Sequence, residues 1–155
     1  MRLSWIERRW MHAIFEGFAP PADESSADDR VLTPRPGEVD YVGGFLEANE
    51  HASPIAKVGM RFACALVATS PIWTGKAAKG IDRLSANERA ELLDSLSEHR
   101  LGLVRELTWL MKVQASMTLF GTKSIRARSG YDRNREGQTP VRLRLVGSKS
   151  KKQVA

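Results

Sequence analysis

Few side chains in this sequence have the types and spacing needed for chemistry. His12, His51 and His99 lie outside any nucleophile motif, and no Gly-x-Ser-x-Gly elbow is present. Cys64 lies within an apolar stretch, where burial disfavours the reactive thiolate. A single cysteine also excludes an intramolecular disulfide and a cysteine-based zinc site. The sequence therefore predicts that this chain has no catalytic residues and is not an enzyme.

The sequence also lacks the common metal-binding and cofactor-binding motifs. A di-iron site in a helical bundle needs a glutamate three residues before a histidine on two helices. The residues three before the histidines are Arg9, Ala48 and Leu96. Glu47, Glu50 and His51 form one close group, but two further ligands are not suggested. Because Walker and dinucleotide motifs are also missing, we expect no metal site and no cofactor-binding residues.

Charge is distributed unevenly along the 155 residues, which carry a net charge of +6. Residues 1–121 hold 14 basic and 16 acidic side chains, whereas residues 122–155 hold 10 basic and two acidic ones. The basic residues of this second part are Lys123, Arg126, Arg128, Arg133, Arg135, Arg142, Arg144, Lys149, Lys151 and Lys152. Such an arm suits an acidic surface or a polyanion. The alternative is a solvated end that aids solubility.

Apolar periodicity predicts an all-α fold, a single bundle of about five helices. The pattern places helices over residues 3–18, 38–49 and 54–68, and a long helical stretch over 84–120 that turns or kinks near residues 100–102. Ser53 is the expected N-cap of the third helix, and Ser85 with Glu88 forms a capping box. We expect the third helix to end at Ser70-Pro71, with Ile72-Trp73 in a loop against the core.

Two helices have ambiguous faces. The third is apolar almost all round, which is typical of a helix that is buried or covered by a partner. In the long helical stretch the expected inner positions are Leu103, Leu107, Leu110, Met111 and Met117. The sequence has four tryptophans, and we expect about two of them to face the core.

The domain organisation follows from charge and periodicity together. We predict a helical domain over residues 1–121 and a basic arm over 122–155, partly disordered unless bound, with Ile125 and Tyr131 as its anchors. Residues 141–146 alternate apolar and basic side chains, which is typical of a strand that needs an edge to pair with. Residues 19–37 are predicted to form a surface loop.

The N-terminus carries no recognisable export signal. Arg8-Arg9 is followed by an apolar stretch that Glu16 interrupts, too short for a signal peptide. No apolar run approaches the ~20 residues of a membrane span. We therefore expect a cytoplasmic protein without a transmembrane segment.

Four segments in order carry a family resemblance: residues 14–20 (IFEGFAP), 84–89 (LSANER), 117–121 (MTLFG) and 130–132 (GYD). Over residues 5–132 the chain resembles the small helical, gamma-type subunit ("subunit 3") of gluconate-dehydrogenase-like complexes. It is also similar to the N-terminal helical region of long-chain alcohol oxidases. It departs from the family in lacking a twin-arginine signal, and the basic arm lies outside the shared pattern.

The resemblance implies an accessory role. Such subunits bind a large FAD-containing oxidoreductase subunit of the glucose–methanol–choline (GMC) type and support its folding or flavin loading. The alcohol or sugar oxidation and its FAD then belong to the partner, and this chain holds no cofactor. The residues expected at the interface are Trp5, Trp10, Trp73, Trp109, Phe120, Tyr131, Arg142 and Arg144.

A nucleic-acid-binding module is the alternative from another class. The basic arm could contact phosphates in a salt-dependent way. Against this, the arm has Tyr131 as its single aromatic residue, and the helix near residues 84–100 is too acidic for a recognition helix. A small independent enzyme is the third and least favoured reading.

Overall fold

The computed structural model describes residues 2–19, 33–35 and 37–129. Six α-helices and one short 3₁₀ turn (Ile81–Arg83) make up the regular structure of these residues. The helices are α1 (Trp5–Phe18), α2 (Tyr41–Ala48), α3 (Pro54–Trp73), α4 (Ala86–Ser97), α5 (Gly102–Gly121) and α6 (Lys123–Ser129). The all-α class is confirmed, with six helices in the described part rather than about five.

Helix α1 is the centre of the bundle and packs against α2, α3, α4 and α5. Its Met11, Ile14 and Phe15 have no solvent exposure. Phe15 meets the rings of Tyr41 and Phe45 edge-on, with centroids 6.2 and 5.9 Å apart, which fixes α2 against α1. The core therefore lies on the inner sides of the helices around α1.

Side-chain caps begin the helices where the sequence places them. The Ser85 hydroxyl accepts from the Glu88 amide, and the Glu88 carboxylate accepts from the Ser85 amide at 2.7 Å, as predicted. Ser53 caps α3 by accepting from the Ala56 amide. These hydrogen bonds satisfy amides that lack a partner at the start of a helix.

Helix α3 continues through Pro71 to Trp73, so the predicted end at Ser70-Pro71 is wrong. Proline lacks the N–H that would bond to the carbonyl of Val67 four residues earlier. The Ser70 hydroxyl donates to that carbonyl at 2.7 Å instead. Because this group is satisfied, the helix can extend by one more turn.

Helices α3 and α5 lie side by side and run antiparallel. At one end Trp73, the last residue of α3, meets the ring of His99 just before α5 begins, with centroids 6.0 Å apart. At the other end Asn49, a few residues before α3, donates to the Gln114 side chain in the second half of α5 at 3.0 Å. The end of α3 thus lies beside the segment that precedes α5, and the segment that precedes α3 lies beside the second half of α5.

Helix α6 belongs to the folded body, which extends past the predicted boundary at residue 121. Its Ile125 has no solvent exposure. Arg128 forms a 2.7 Å ion pair with Glu38, and both side chains are largely buried. The predicted strand-like stretch at 141–146 lies outside the described residues.

Candidate functional site

Helices α3 and α5 each expose a row of large apolar side chains, and we call the two rows together the outer face. Ten of its large apolar side chains are between 44% and 86% exposed. They are Ile55, Val58, Phe62, Ile72 and Trp73 on α3, and Leu103, Trp109, Val113, Met117 and Phe120 on α5. Soluble monomers rarely expose contiguous apolar patches beyond a few hundred Å², so these rows are the candidate interaction surface of the described residues.

The α3 half of the outer face is a regular seam. Its positions are 55, 58, 62, 65, 69 and 72, alternating steps of three and four residues along one side of the helix. The opposite side carries Met60, Cys64 and Val67, which are buried in the core. Helix α3 therefore has an apolar side toward the core and a second apolar side toward solvent.

The α5 half has the same spacing, at positions 103, 106, 110, 113, 117 and 120, of which Glu106 is charged and Leu110 is partly buried against the core. The core side of α5 is formed instead by Val104, Thr108 and Met111. Thr108 can be buried because its hydroxyl donates to the Val104 carbonyl at 2.8 Å. The prediction that Leu103 and Met117 face the core is therefore wrong.

The two rows of the outer face together expose an area comparable to one side of a standard interface. A large apolar or aromatic side chain carries on the order of 200 Å² of accessible surface. Ten such side chains, each about half exposed, present on the order of 1,000 Å². A standard protein–protein interface buries about 800 Å² on each partner.

The charges that flank the outer face are mostly positive. Helix α3 carries Lys57 and Arg61 and no acidic residue, and α5 carries Arg105 and Lys112 with Glu106 as its only acid. Arg61 pairs with a carboxylate of α1, Glu7, at 2.6 Å. Although burial opposes it, hydrogen bonding from Arg61 and Ser4 holds the pKa of Glu7 below its usual value.

Three of the five predicted interface residues in the described part belong to the outer face: Trp73, Trp109 and Phe120. Trp5 lies on α1 and is 71% exposed, whereas Trp10 packs against the core. Only one of the four tryptophans is thus turned to the core, rather than about two. Tyr131, Arg142 and Arg144 lie outside the described residues.

The two tryptophans of the outer face are held by hydrogen bonds to helix carbonyls. The Trp73 indole donates to the Leu66 carbonyl, and the Trp109 indole donates to the Ser97 carbonyl, both at 3.3 Å. Lys112 lies over the Trp109 ring, 5.2 Å from its centroid. Because their polar ends are already satisfied, both rings can offer apolar surface to a partner without losing a hydrogen bond.

The α5 seam, formed among others by Leu103, Val113 and Met117, was not predicted from the sequence. The three–four spacing of residues 103–120 indicates this seam, but α5 also has a second apolar stripe, the one that faces the core. Both stripes have the helical period, so periodicity alone does not say which one is buried.

Burial makes the thiol of Cys64 unreactive. Cys64 is 1% exposed, and burial raises the pKa of its thiol to about 12. Within residues 2–19, 33–35 and 37–129, no group of three or more His, Cys, Asp or Glu side chains could hold a metal ion.

A cavity of about 220 Å³ lies between α1, the segment before α2 and the start of α4. Two of its lining residues carry a polar atom without a partner, the Tyr41 hydroxyl and the Arg89 Nε. Both atoms have almost no accessible surface, and Arg89 is already paired with Glu16 at 2.7 Å. Burial also raises the pKa of Tyr41 to about 12, so its hydroxyl stays neutral. The cavity therefore offers a ligand no accessible unpaired donor from these two residues.

Helix α3 is also the one helix of the described part that is long and apolar enough, by length and composition, to cross a membrane. About two-fifths of that stretch is buried inside the bundle.

Comparison with family models, curated proteins and solved structures finds no match to this chain.

Proposed function

We propose that this chain is a non-catalytic accessory subunit whose outer face packs against a larger catalytic protein. The observation that carries the proposal is the apolar area of that face, on the order of 1,000 Å². An area of this size is comparable to the roughly 800 Å² that each partner buries in a standard interface.

The proposed partner is a large FAD-dependent subunit of the GMC type, whose folding or flavin loading this chain would support. This step rests on the family resemblance, and three of its four segments contain residues that the structure describes. Residues 117–121 contribute Met117 and Phe120 to the outer face. The segments 14–20 and 84–89 meet through the ion pair of Glu16 and Arg89. The resembling segments thus build the bundle and part of its proposed interface.

Co-expression with a GMC-type flavoprotein encoded beside this chain tests the proposal. We expect the two proteins to co-purify, and the flavoprotein expressed alone to be less soluble or to contain less FAD, measured by its absorbance near 450 nm. The variants Phe62→Glu and Val113→Glu place a carboxylate on the outer face and should abolish co-purification. Ser95→Glu, on the exposed side of α4, is the matched control and should leave the complex intact.

One result would overturn the proposal. If the flavoprotein is soluble, fully loaded with FAD and active without this chain, and the two never co-purify, the accessory role is wrong. Circular dichroism of each variant shows whether it still folds, so that a lost complex is not confused with a lost structure.

A further inference from the structure

We infer that the element bound on the outer face is an amphipathic helix of the partner, with acidic residues on its flanks and one basic residue placed opposite Glu106. This inference rests on the proposed function, in that it takes a protein as the occupant. It adds the secondary structure and the charge pattern of the partner segment.

The spacing of the outer face is that of a helix-packing surface. Each of the two helices repeats steps of three and four residues over six positions, the periodicity with which helices pack in bundles and coiled coils. The two seams run antiparallel on neighbouring helices of 20 residues, about 30 Å long. A third helix lying along them would meet apolar side chains at most seam positions, with Thr69 and Glu106 as the polar ones.

Small residues between the large ones leave space for the side chains of such a helix. On α3 the gaps are at Gly59 and Ala65, and on α5 at Ser116. A Cβ built at Gly59 meets nothing within 4 Å, so this position opens to solvent. Large side chains alternating with gaps permit knobs-into-holes packing, which a helical partner uses and a fluid lipid surface does not require.

The flanking charges favour an acidic partner. The two helices carry four cations and one carboxylate. Arg61 is paired with Glu7 of α1, and Arg105 lies 3.8 Å from Glu106, so Lys57 and Lys112 carry the excess positive charge. In packed helices, the charges that flank an apolar seam pair across the interface and select the partner. A second copy of this chain would bring the same four cations and is therefore disfavoured.

Glu106 distinguishes a protein from a bilayer. It occupies one of the six seam positions of α5, its side chain is 73% exposed, and its nearest recorded cation is Arg105 at 3.8 Å. Covering it with lipid would desolvate a carboxylate with little compensation. A lysine or arginine of a partner helix can pair with it, and a single polar seam position of this kind fixes the register of the two helices.

Two synthetic peptides of about three heptads test the inference on the full-length protein. Both carry leucines at three–four spacing. One has glutamates on its flanks and a central lysine, and the other has lysines on its flanks and a central glutamate. We expect the glutamate-flanked peptide to bind about tenfold more tightly or better in fluorescence anisotropy, and Val113→Glu, but not Ser95→Glu, to abolish its binding.

Three outcomes overturn the inference: equal binding of the two peptides, preferential binding to vesicles of phosphatidylglycerol and phosphatidylcholine, or a stable dimer in sedimentation equilibrium that Val113→Glu dissociates. The co-purification experiment can give a negative result independently of the peptide experiment. A flavoprotein complex that survives Phe62→Glu and Val113→Glu refutes the inferred face while retaining the accessory role. Selective peptide binding without any flavoprotein complex refutes the proposed partner and retains the helix-binding face.

Discussion

The same substitution, valine to alanine, can be made on both sides of α3. Val67 faces the core with no exposure, whereas Val58 faces outward and is 68% exposed. Removing two carbon groups from a buried site costs about 1.6 kcal/mol in transfer free energy, and the cavity left behind adds up to about 1 kcal/mol. At Val58 about a third of the side chain is buried, so the loss is about 0.5 kcal/mol.

Helix propensity acts equally on both variants. Alanine is better than valine in a helix by about 0.5 kcal/mol, and both sites lie in the interior of α3. We therefore expect Val67→Ala to lower the free energy of unfolding by about 1–2 kcal/mol and Val58→Ala to leave it nearly unchanged. The difference between the variants, about 1–2 kcal/mol, reports burial alone.

Urea unfolding followed by circular dichroism at 222 nm measures both values on the isolated protein. It should be repeated at two protein concentrations, because a dimer would make the midpoint depend on concentration. If Val58→Ala destabilises the isolated chain as much as Val67→Ala at both concentrations, then the outward side of α3 is already covered within the monomer. In that case the reasoning about the outer face fails.

Three further predictions concern the packing and the buried acids. A Cβ at Gly44 would lie 2.6 Å from Thr118 Cγ2, so Gly44→Ala should lower Tm by separating α2 from α5. A Cβ at Gly59 meets nothing within 4 Å, so Gly59→Ala should raise the stability by up to about 1 kcal/mol. Equal shifts of Tm in the two variants would contradict the close approach of α2 and α5. Cys64 should not react with a chromogenic disulfide reagent at pH 8 until urea unfolds the protein, because its buried thiol has a pKa of about 12; a fast native reaction would contradict this burial. Since Tyr41 and Cys64 both have raised pKa values of about 12 in the fold, against 10.0 and 9.0 ordinarily, the unfolded chain ionises first. Their contribution to stability is complete below pH 9 and is lost as the pH rises to 12, at about 1.4 kcal/mol per pH unit for each group. An unfolding free energy that stays constant from pH 8 to 11 would refute this pH dependence.

Local signals in the sequence predicted much of the bundle. Helix starts were predictable because a cap depends on a few neighbouring residues, as at Ser53 and in the Ser85–Glu88 capping box. The end of α3 was not predictable in the same way. It depends on whether the Val67 carbonyl, which receives no hydrogen bond from Pro71, finds another donor. The Ser70 hydroxyl is that donor, and its hydrogen bond depends on the rotamer of Ser70.

The facing of the helices was less predictable than their existence. Periodicity identifies an apolar stripe on a helix but does not say what the stripe packs against, and α5 has two stripes of the same period. The tertiary contacts choose the one with Val104, Thr108 and Met111 for the core. Thr108 reads as polar in the sequence, and its hydrogen bond to the helix backbone is what allows it to be buried.

The charge asymmetry of the chain also extends into its folded body. Residues 1–121 are close to neutral as a whole, yet α3 and α5 carry four cations and one carboxylate, and the rest of these residues carries 10 basic and 15 acidic side chains. The two helices that expose the apolar seams are thus poor in acidic residues, with one among their 40 residues against 15 among the other 81, while basic residues are about equally frequent in both parts. A basic arm alone would favour any polyanion, including a nucleic acid. An apolar face flanked by cations discriminates further, because nucleic acid would leave its apolar seams exposed, whereas an acidic amphipathic helix would cover the seams and pair the charges at the same time.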